Sequence, residues 1–379
     1  MLLLAQVMPP SLPEEYLFFS VLACAAVLGG CVGSFLNVCI YRLPHEELSV
    51  REPRWSFCPL CKARIRWFDN VPVFGWLWLG GKCRDCKAKI AIRYPLVEAM
   101  TAGFFVLAVL HAGAPAALPE FGWLPEAIYW ALLFAALLVV TFVDLDHRII
   151  PDDVSITGSA VALLPPLFCL GVPVHPDVPQ FLLSALRALN ANAVDSGVGV
   201  AASISVALVF GAIAAYLFKR YSPRWDGGVR KWWETRLAFA VGASCGGVLA
   251  SLFLIPGWLD TPAAQRFLAA LFGMGVGAGA LYSVGVLGKI AFKKDAMGLG
   301  DVKLMALLGA ALGWKGVLLA IFVACLLGSV IGIAVKLITR SSYIPFGPFL
   351  AAGAMILILW HQQVDAALDW YVQLIRGDQ

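Results

Sequence analysis

Long apolar runs alternate along this chain with short polar connections. Runs near 16–39, 97–116, 124–143, 154–174, 197–218, 237–256, 265–291, 316–338 and 345–362 are long enough to cross a bilayer, which takes about 20 residues. Another, 300–314, is short and is followed by Gly313-Trp314-Lys315-Gly316, so it reads as a partial span. Each is expected to be a helix, because an open chain in lipid has to satisfy its own backbone hydrogen bonds. The pattern therefore predicts an all-α polytopic membrane protein with about 8–10 transmembrane helices. One extended polar stretch, 42–96, interrupts it and is too short to bury a large core of its own. No internal repeat or low-complexity tract is evident.

Composition agrees with the pattern. The chain is 60% hydrophobic and 14% charged, with mean hydropathy +0.82. A soluble domain carries roughly a quarter charged residues, so an ordinary soluble enzyme is excluded. The opening "MLLLAQVMPPSLPEEYLFF" lacks a basic n-region and carries Glu14 and Glu15. It reads as a short tail before an uncleaved helix rather than as a signal peptide. Lys and Arg concentrate in 40–96, in 219–236, at Lys293 and Lys294, and at Lys336 and Arg340; the loops 112–122, 175–196 and 257–264 are poor in them. An alternating ten-span path puts every basic loop on one side, and the positive-inside rule makes that side the cytoplasm. The modest net charge of +4 is accounted for by topology, and no nucleic-acid partner is expected.

Six cysteines lie scattered in apolar runs and read as small buried hydrophobes. The other four form two Cys-x-x-Cys pairs in the polar stretch: Cys58 and Cys61, then Cys83 and Cys86. Four thiolates at this spacing suit one tetrahedral ion, usually zinc. A metal would let a small segment fold without a large core. Disulfides or a redox dithiol are the alternatives, and a reducing cytoplasm disfavours disulfides. With all four positions filled by protein, the zinc would be structural.

Two acidic groups stand at ends of apolar runs on the predicted cytoplasmic face. Asp144 lies in "VVTFVDLDHRIIPDD", and Asp301 lies in "GLGD" at the mouth of the short run. Gly298 and Gly300 would let backbone or substrate approach closely. The bland reading is that both aspartates are helix-end residues. Brought together, two carboxyls cannot both be charged cheaply, so one keeps a proton. The charged one can then take a proton from attacking water, while the protonated one hydrogen-bonds the amide carbonyl oxygen. No phosphate loop with a lysine and no His-Glu-x-x-His competes with this chemistry. Asp146, Asp152 and Asp153 rival Asp144, and spacing does not choose among the four.

At these residues the sequence resembles the type IV prepilin peptidases. "GSFLNVCIYRLP" at 33–44, the cysteine segment 58–100, "VDLDHRIIPD" at 143–152, "GLGDVKL" at 298–304 and "IPFGPFLAAG" at 344–353 carry the resemblance. It implies a bifunctional enzyme of the bacterial inner membrane, serving type IV pili or type II secretion. Asp144 and Asp301 would be its catalytic pair. It would cut prepilins or pseudopilins after the glycine of a short basic leader, on the cytoplasmic face. It would then methylate the new amine with S-adenosylmethionine, and the polar segment 33–96 is the expected site of that second step.

The implied organisation is a first helix (1–41), a cytoplasmic zinc-binding domain (42–96) and helices with the first aspartate (97–174). An insertion (175–262) follows, then helices with the Gly-x-Gly-Asp aspartate (263–379). The family usually has about eight spans. The insertion adds two and carries "KRYSPRWDGGVRKWWETR", which suits the headgroup region or a solvated loop. Two other classes remain open: a transporter using membrane-face aspartates, and a non-catalytic zinc-ribbon membrane module. Acidic residues are almost absent from mid-span, which disfavours the transporter, and the ribbon leaves Gly-x-Gly-Asp unexplained.

Overall fold

The computed structural model describes residues 12–45, 50, 55–113, 122–163, 174, 176–195, 258–293, 297–339 and 345–376. Its helices are α1 (Leu12–Arg42), the short α2 (Phe74–Trp78), α3 (Arg93–His111), α4 (Leu124–His147), α5 (Asp152–Ala162), α6 (Gln180–Asp195), α7 (Pro262–Phe292), α8 (Leu299–Thr339) and α9 (Gly347–Arg376). Among the described residues there is no β-sheet, only two isolated bridges within the cysteine segment. Five of these helices are long and apolar enough to cross a membrane. The expected spans at 197–218 and 237–256 and the tryptophan-rich loop lie outside the described residues.

The short run at 300–314 has a structural explanation. Inside α8, Gly313 leaves helical geometry (φ 76°, ψ 174°). In a straight helix Met305 and Val317 would stand about 18 Å apart. Both lie against the same residue, Gly277 of α7: a Cβ there would meet the Met305 carbonyl at 2.3 Å and a Val317 methyl at 2.9 Å. The chain therefore reverses at Gly313. The first limb, 299–312, is about 20 Å long, shorter than the roughly 30 Å hydrocarbon layer, so at least one of its ends lies at membrane depth.

That limb and α4 form the centre. Trp130, Phe134 and Leu137 of α4, Leu304, Leu308 and Leu312 of the limb, and Leu350 and Leu357 of α9 belong to one core and are almost completely buried. Glycines let the backbones approach where lipid offers no hydrophobic drive for association. Gly29 and Gly33 seat α1 on Thr101 and Glu98 of α3, and Gly273 of α7 seats on Gly309 of α8. The region 175–196, which reads as a loop in the sequence, contains α6. Its Leu183 packs with Leu259 and Leu268, and its Arg187 pairs with Asp260 at 2.6 Å. The run is too short and too polar to register as a span, so hydropathy alone passes over it.

A valine at Gly273 would place Cβ 2.2 Å from the Gly309 carbonyl oxygen, whereas Gly275 faces open space. Gly273→Val should destabilise the protein by about 1–3 kcal/mol, read as a lower melting temperature in detergent. Gly275→Val should leave the melting temperature unchanged.

Candidate active site and metal centre

Helix α4 ends at His147 because Arg148 turns left-handed (φ 59°, ψ 35°) and returns its N–H to the Asp144 carbonyl. Asp144 thus occupies the last turn, and it is 6% exposed. Its Oδ2 accepts a 3.0 Å hydrogen bond from the N–H of Gly347, the first residue of α9. That N–H is one of the free donors at a helix start, where the backbone dipole favours an anionic group. Asp301 is the third residue of α8, in the first turn, where the free backbone N–H groups favour an anionic side chain.

The two aspartates, distant in sequence, are drawn towards one another by the packing of Ile150, six residues beyond Asp144, on Gly300, which precedes Asp301. Two of the rival carboxylates are held in ion pairs. Asp146 pairs with Arg93, and Asp152 pairs with Lys303 at 2.6 Å. Asp153 sits in the first turn of α5. The glycines of the motif differ in their surroundings. A Cβ at Gly300 would meet the Ile150 side chain at 2.9 Å, so this glycine lets α8 close on the loop that follows α4. Gly298 has open room, with the Asp301 carboxylate 3.6 Å from where its Cβ would stand.

Sequence reading assigned no role to Gly347. A Cβ there would lie 2.6 Å from Asp144 Oδ2. The available signal was Gly347-Pro348 opening an apolar run, since proline is favoured in the first helical turn.

The cysteine segment folds as two matching knuckles. Cys58 N–H bonds the Ala63 carbonyl and Lys62 N–H bonds the Cys58 carbonyl; Cys83 with Ala88 and Lys87 with Cys83 repeat the arrangement. Lys62 and Lys87 are both left-handed, at φ 60° and 59°. The match corrects the sequence reading. "CKARI" at 61–65 and "CKAKI" at 86–90 are a short repeat, hidden by the dissimilar residues around it. All four sulfurs lie within 4.8 Å of one another, with Cys58 and Cys86 at 3.9 Å and Cys61 and Cys83 at 4.0 Å. A tetrahedral ion with 2.3 Å metal–sulfur bonds requires about 3.8 Å between sulfurs, so the set fits one ion and no disulfide joins them. The Cys61 backbone N–H lowers the Cys58 thiol pKa, whereas burial and the neighbouring thiols raise that of Cys61. Arg84 braces the module with two hydrogen bonds to Asp69 and keeps that carboxyl below its usual range.

Between the knuckles and the ends of α1 and α3 lies a cavity of about 340 Å³, lined by Asn37, Tyr41, Asp69, Arg84 and Glu98 among others. Asn37 donates to the Tyr94 carbonyl at 3.0 Å, and its buried Oδ1 has no partner.

Comparison with known proteins agrees with this architecture. Residues 27–112 match the Bacterial Peptidase A24 N-terminal domain, and residues 236–333 match the Type IV leader peptidase family. The chain is 29% identical over 391 residues to the prepilin leader peptidase/N-methyltransferase of Stutzerimonas stutzeri, covering 96% of this chain and 99% of that one. The protein of the same name from Pseudomonas aeruginosa is 29% identical over 365 residues, covering 90% and 91%. That of Myxococcus xanthus is 42% identical over 143 residues, covering 37% and 39%. No solved structure matches. The protein is an integral membrane peptidase, similar over two regions to these family models and over nearly its whole length to the prepilin leader peptidase/N-methyltransferases.

Treating the purified protein with a strong chelator should release one divalent ion per chain, counted by elemental mass spectrometry, and should open residues 55–90 to protease. Cys83→Ser should show both effects without chelator.

Proposed function

We propose that this protein removes the leader peptides of type IV prepilins or pseudopilins with Asp144 and Asp301 as its catalytic pair, then methylates the exposed amine. The observation that supports the reading is the packing of Gly300, next to Asp301, on Ile150 of the loop that follows Asp144, at the membrane face where the basic residues gather. That face is cytoplasmic by the positive-inside rule, and the membrane is the bacterial inner membrane.

The pair shares one proton. The ionised carboxyl takes a proton from water as the water oxygen adds to the scissile carbonyl carbon. The protonated partner donates a hydrogen bond to the carbonyl oxygen, which carries the developing negative charge. The tetrahedral adduct then collapses. The carbon–nitrogen bond breaks, and the first carboxyl returns its proton to the leaving amine. Gly347 holds Asp144 in place by its N–H, and Gly300 holds α8 against Ile150. The open side of Gly298 leaves a narrow path for an extended peptide.

Zinc bound by Cys58, Cys61, Cys83 and Cys86 is structural, since four protein ligands leave no open position for chemistry. The cavity at the foot of the module suits S-adenosylmethionine. The unpartnered Asn37 Oδ1 and the Glu98 carboxylate, which keeps acceptor capacity beyond its bond from Val73, line this cavity and suit a donor that carries a sulfonium cation and polar edges. Bound there, it would supply the methyl group to the new amine.

Asp144→Asn and Asp301→Asn should each lower prepilin cleavage by a factor of about 10² or more, read by gel shift of the processed pilin, with folding and metal content retained. Cleavage by both variants at the parental rate would remove the aspartates from the chemistry. Gly347→Ala should lower kcat by about 10² through displacement of the Asp144 carboxylate, with KM little changed. Mass spectrometry of the product, with and without S-adenosylmethionine, tests the second activity.

A further inference from the structure

The cysteine module is not held clear of the membrane. Pro72, in the loop between its knuckles, packs on α1: a Cβ at Gly30 would stand 3.2 Å from the Pro72 ring. Gly30 lies twelve residues inside the end of α1 at Arg42. On α3 the neighbouring levels are set by Gly33 against Glu98 and Gly29 against Ala102. Glu98 and Ala102 are five and nine residues beyond Arg93, where α3 begins, or about 7 and 13 Å along its axis. The tip of this loop is therefore at membrane depth.

Its backbone suits that position. At membrane depth each N–H needs a protein acceptor. Val73 N–H donates to Glu98 Oε2 at 2.7 Å, Phe74 to the Pro72 carbonyl, Gly75 to the Val71 carbonyl and Leu77 to the Val73 carbonyl. Val73 takes φ 62° and ψ −52°, a conformation that is costly for a β-branched residue. The side chains around the tip turn outward and are apolar: Phe74 is 71% exposed, Trp78 84% and Trp67 83%. On α1, the helix that Pro72 packs against, Val27, Leu28 and Phe35 are likewise exposed. Arg64 and Arg66 precede them on the polar side, as in segments that lie among anionic headgroups.

We infer that residues 71–78 form a re-entrant anchor, inserted beside α1 and α3 into the headgroup and upper acyl region of the bilayer. The occupant of this surface is lipid. The anchor fixes the depth of the module and, through Glu98 and α3, its position above the membrane face that holds Asp144 and Asp301. The inference rests on packing depth and exposure and does not depend on the catalytic reading.

The test uses the full-length protein, without substrate, in phosphatidylcholine vesicles containing phosphatidylglycerol at high lipid-to-protein ratio. A phospholipid with a diazirine near the top of its acyl chain is photolysed, and labelled peptides are mapped by mass spectrometry. Hydroxyl-radical footprinting of the same vesicles reports water. The expected result is lipid label on the peptide containing Phe74 and Trp78, comparable to that around Val27 and Leu28, with little radical oxidation. Trp78→Asp should lose label at that peptide while α1 keeps it. Strong oxidation without lipid label would place the loop in water and overturn the inference. Protection from both probes would show that protein covers it, either a second copy or another segment of this chain, and would overturn it equally.

Discussion

The proposed chemistry depends on one constraint, the placing of two carboxyls at one depth beside a membrane. An aspartate near the hydrocarbon is costly, though less so towards the interface, and two together add repulsion. The structure meets this with helix starts. Asp144 accepts a hydrogen bond from the first N–H of α9, and Asp301 stands in the first turn of its own helix. Both devices require α4, α8 and α9 to begin or end at one level. The reversal at Gly313 and the close α7–α8 crossing deliver that arrangement.

Much of this was legible in the sequence. Hydropathy located α1, α3, α4 and α7 to within a few residues, because lipid forces each segment to be helical and long. The Gly-Trp-Lys-Gly after residue 312 marked the short limb. The four-cysteine spacing specified a single-ion geometry, because ligand reach leaves few alternatives. Spacing did not separate Asp144 from Asp146 and Asp152; the resemblance favoured Asp144, and the ion pairs of the other two with Arg93 and Lys303, from distant parts of the chain, are consistent with that choice. Helix α6 escaped notice because an amphipathic segment resting on its neighbours has neither the length nor the apolarity of a span. Gly347 escaped because its contribution is a backbone N–H, which no residue type announces.

The cysteine segment gains a second meaning from its packing. Read alone, it is a cytoplasmic knuckle pair. Its loop reaches down between α1 and α3, with Glu98 capping Val73, so module and membrane helices form one body. An element built on four cysteines that fit one ion, packed against those helices, suits a protein whose proposed substrate is itself a membrane helix with a polar leader.

The central claim is that Asp144 and Asp301 face one another across the width of a peptide strand. Replacing both by cysteine in the full-length protein, and treating membranes with a short homobifunctional thiol reagent, tests it most directly. The account predicts a cross-linked tryptic pair joining the peptides that contain positions 144 and 301. If both cysteines react with a monofunctional maleimide yet no reagent of peptide width links them, the two carboxyls do not meet, and the account is contradicted.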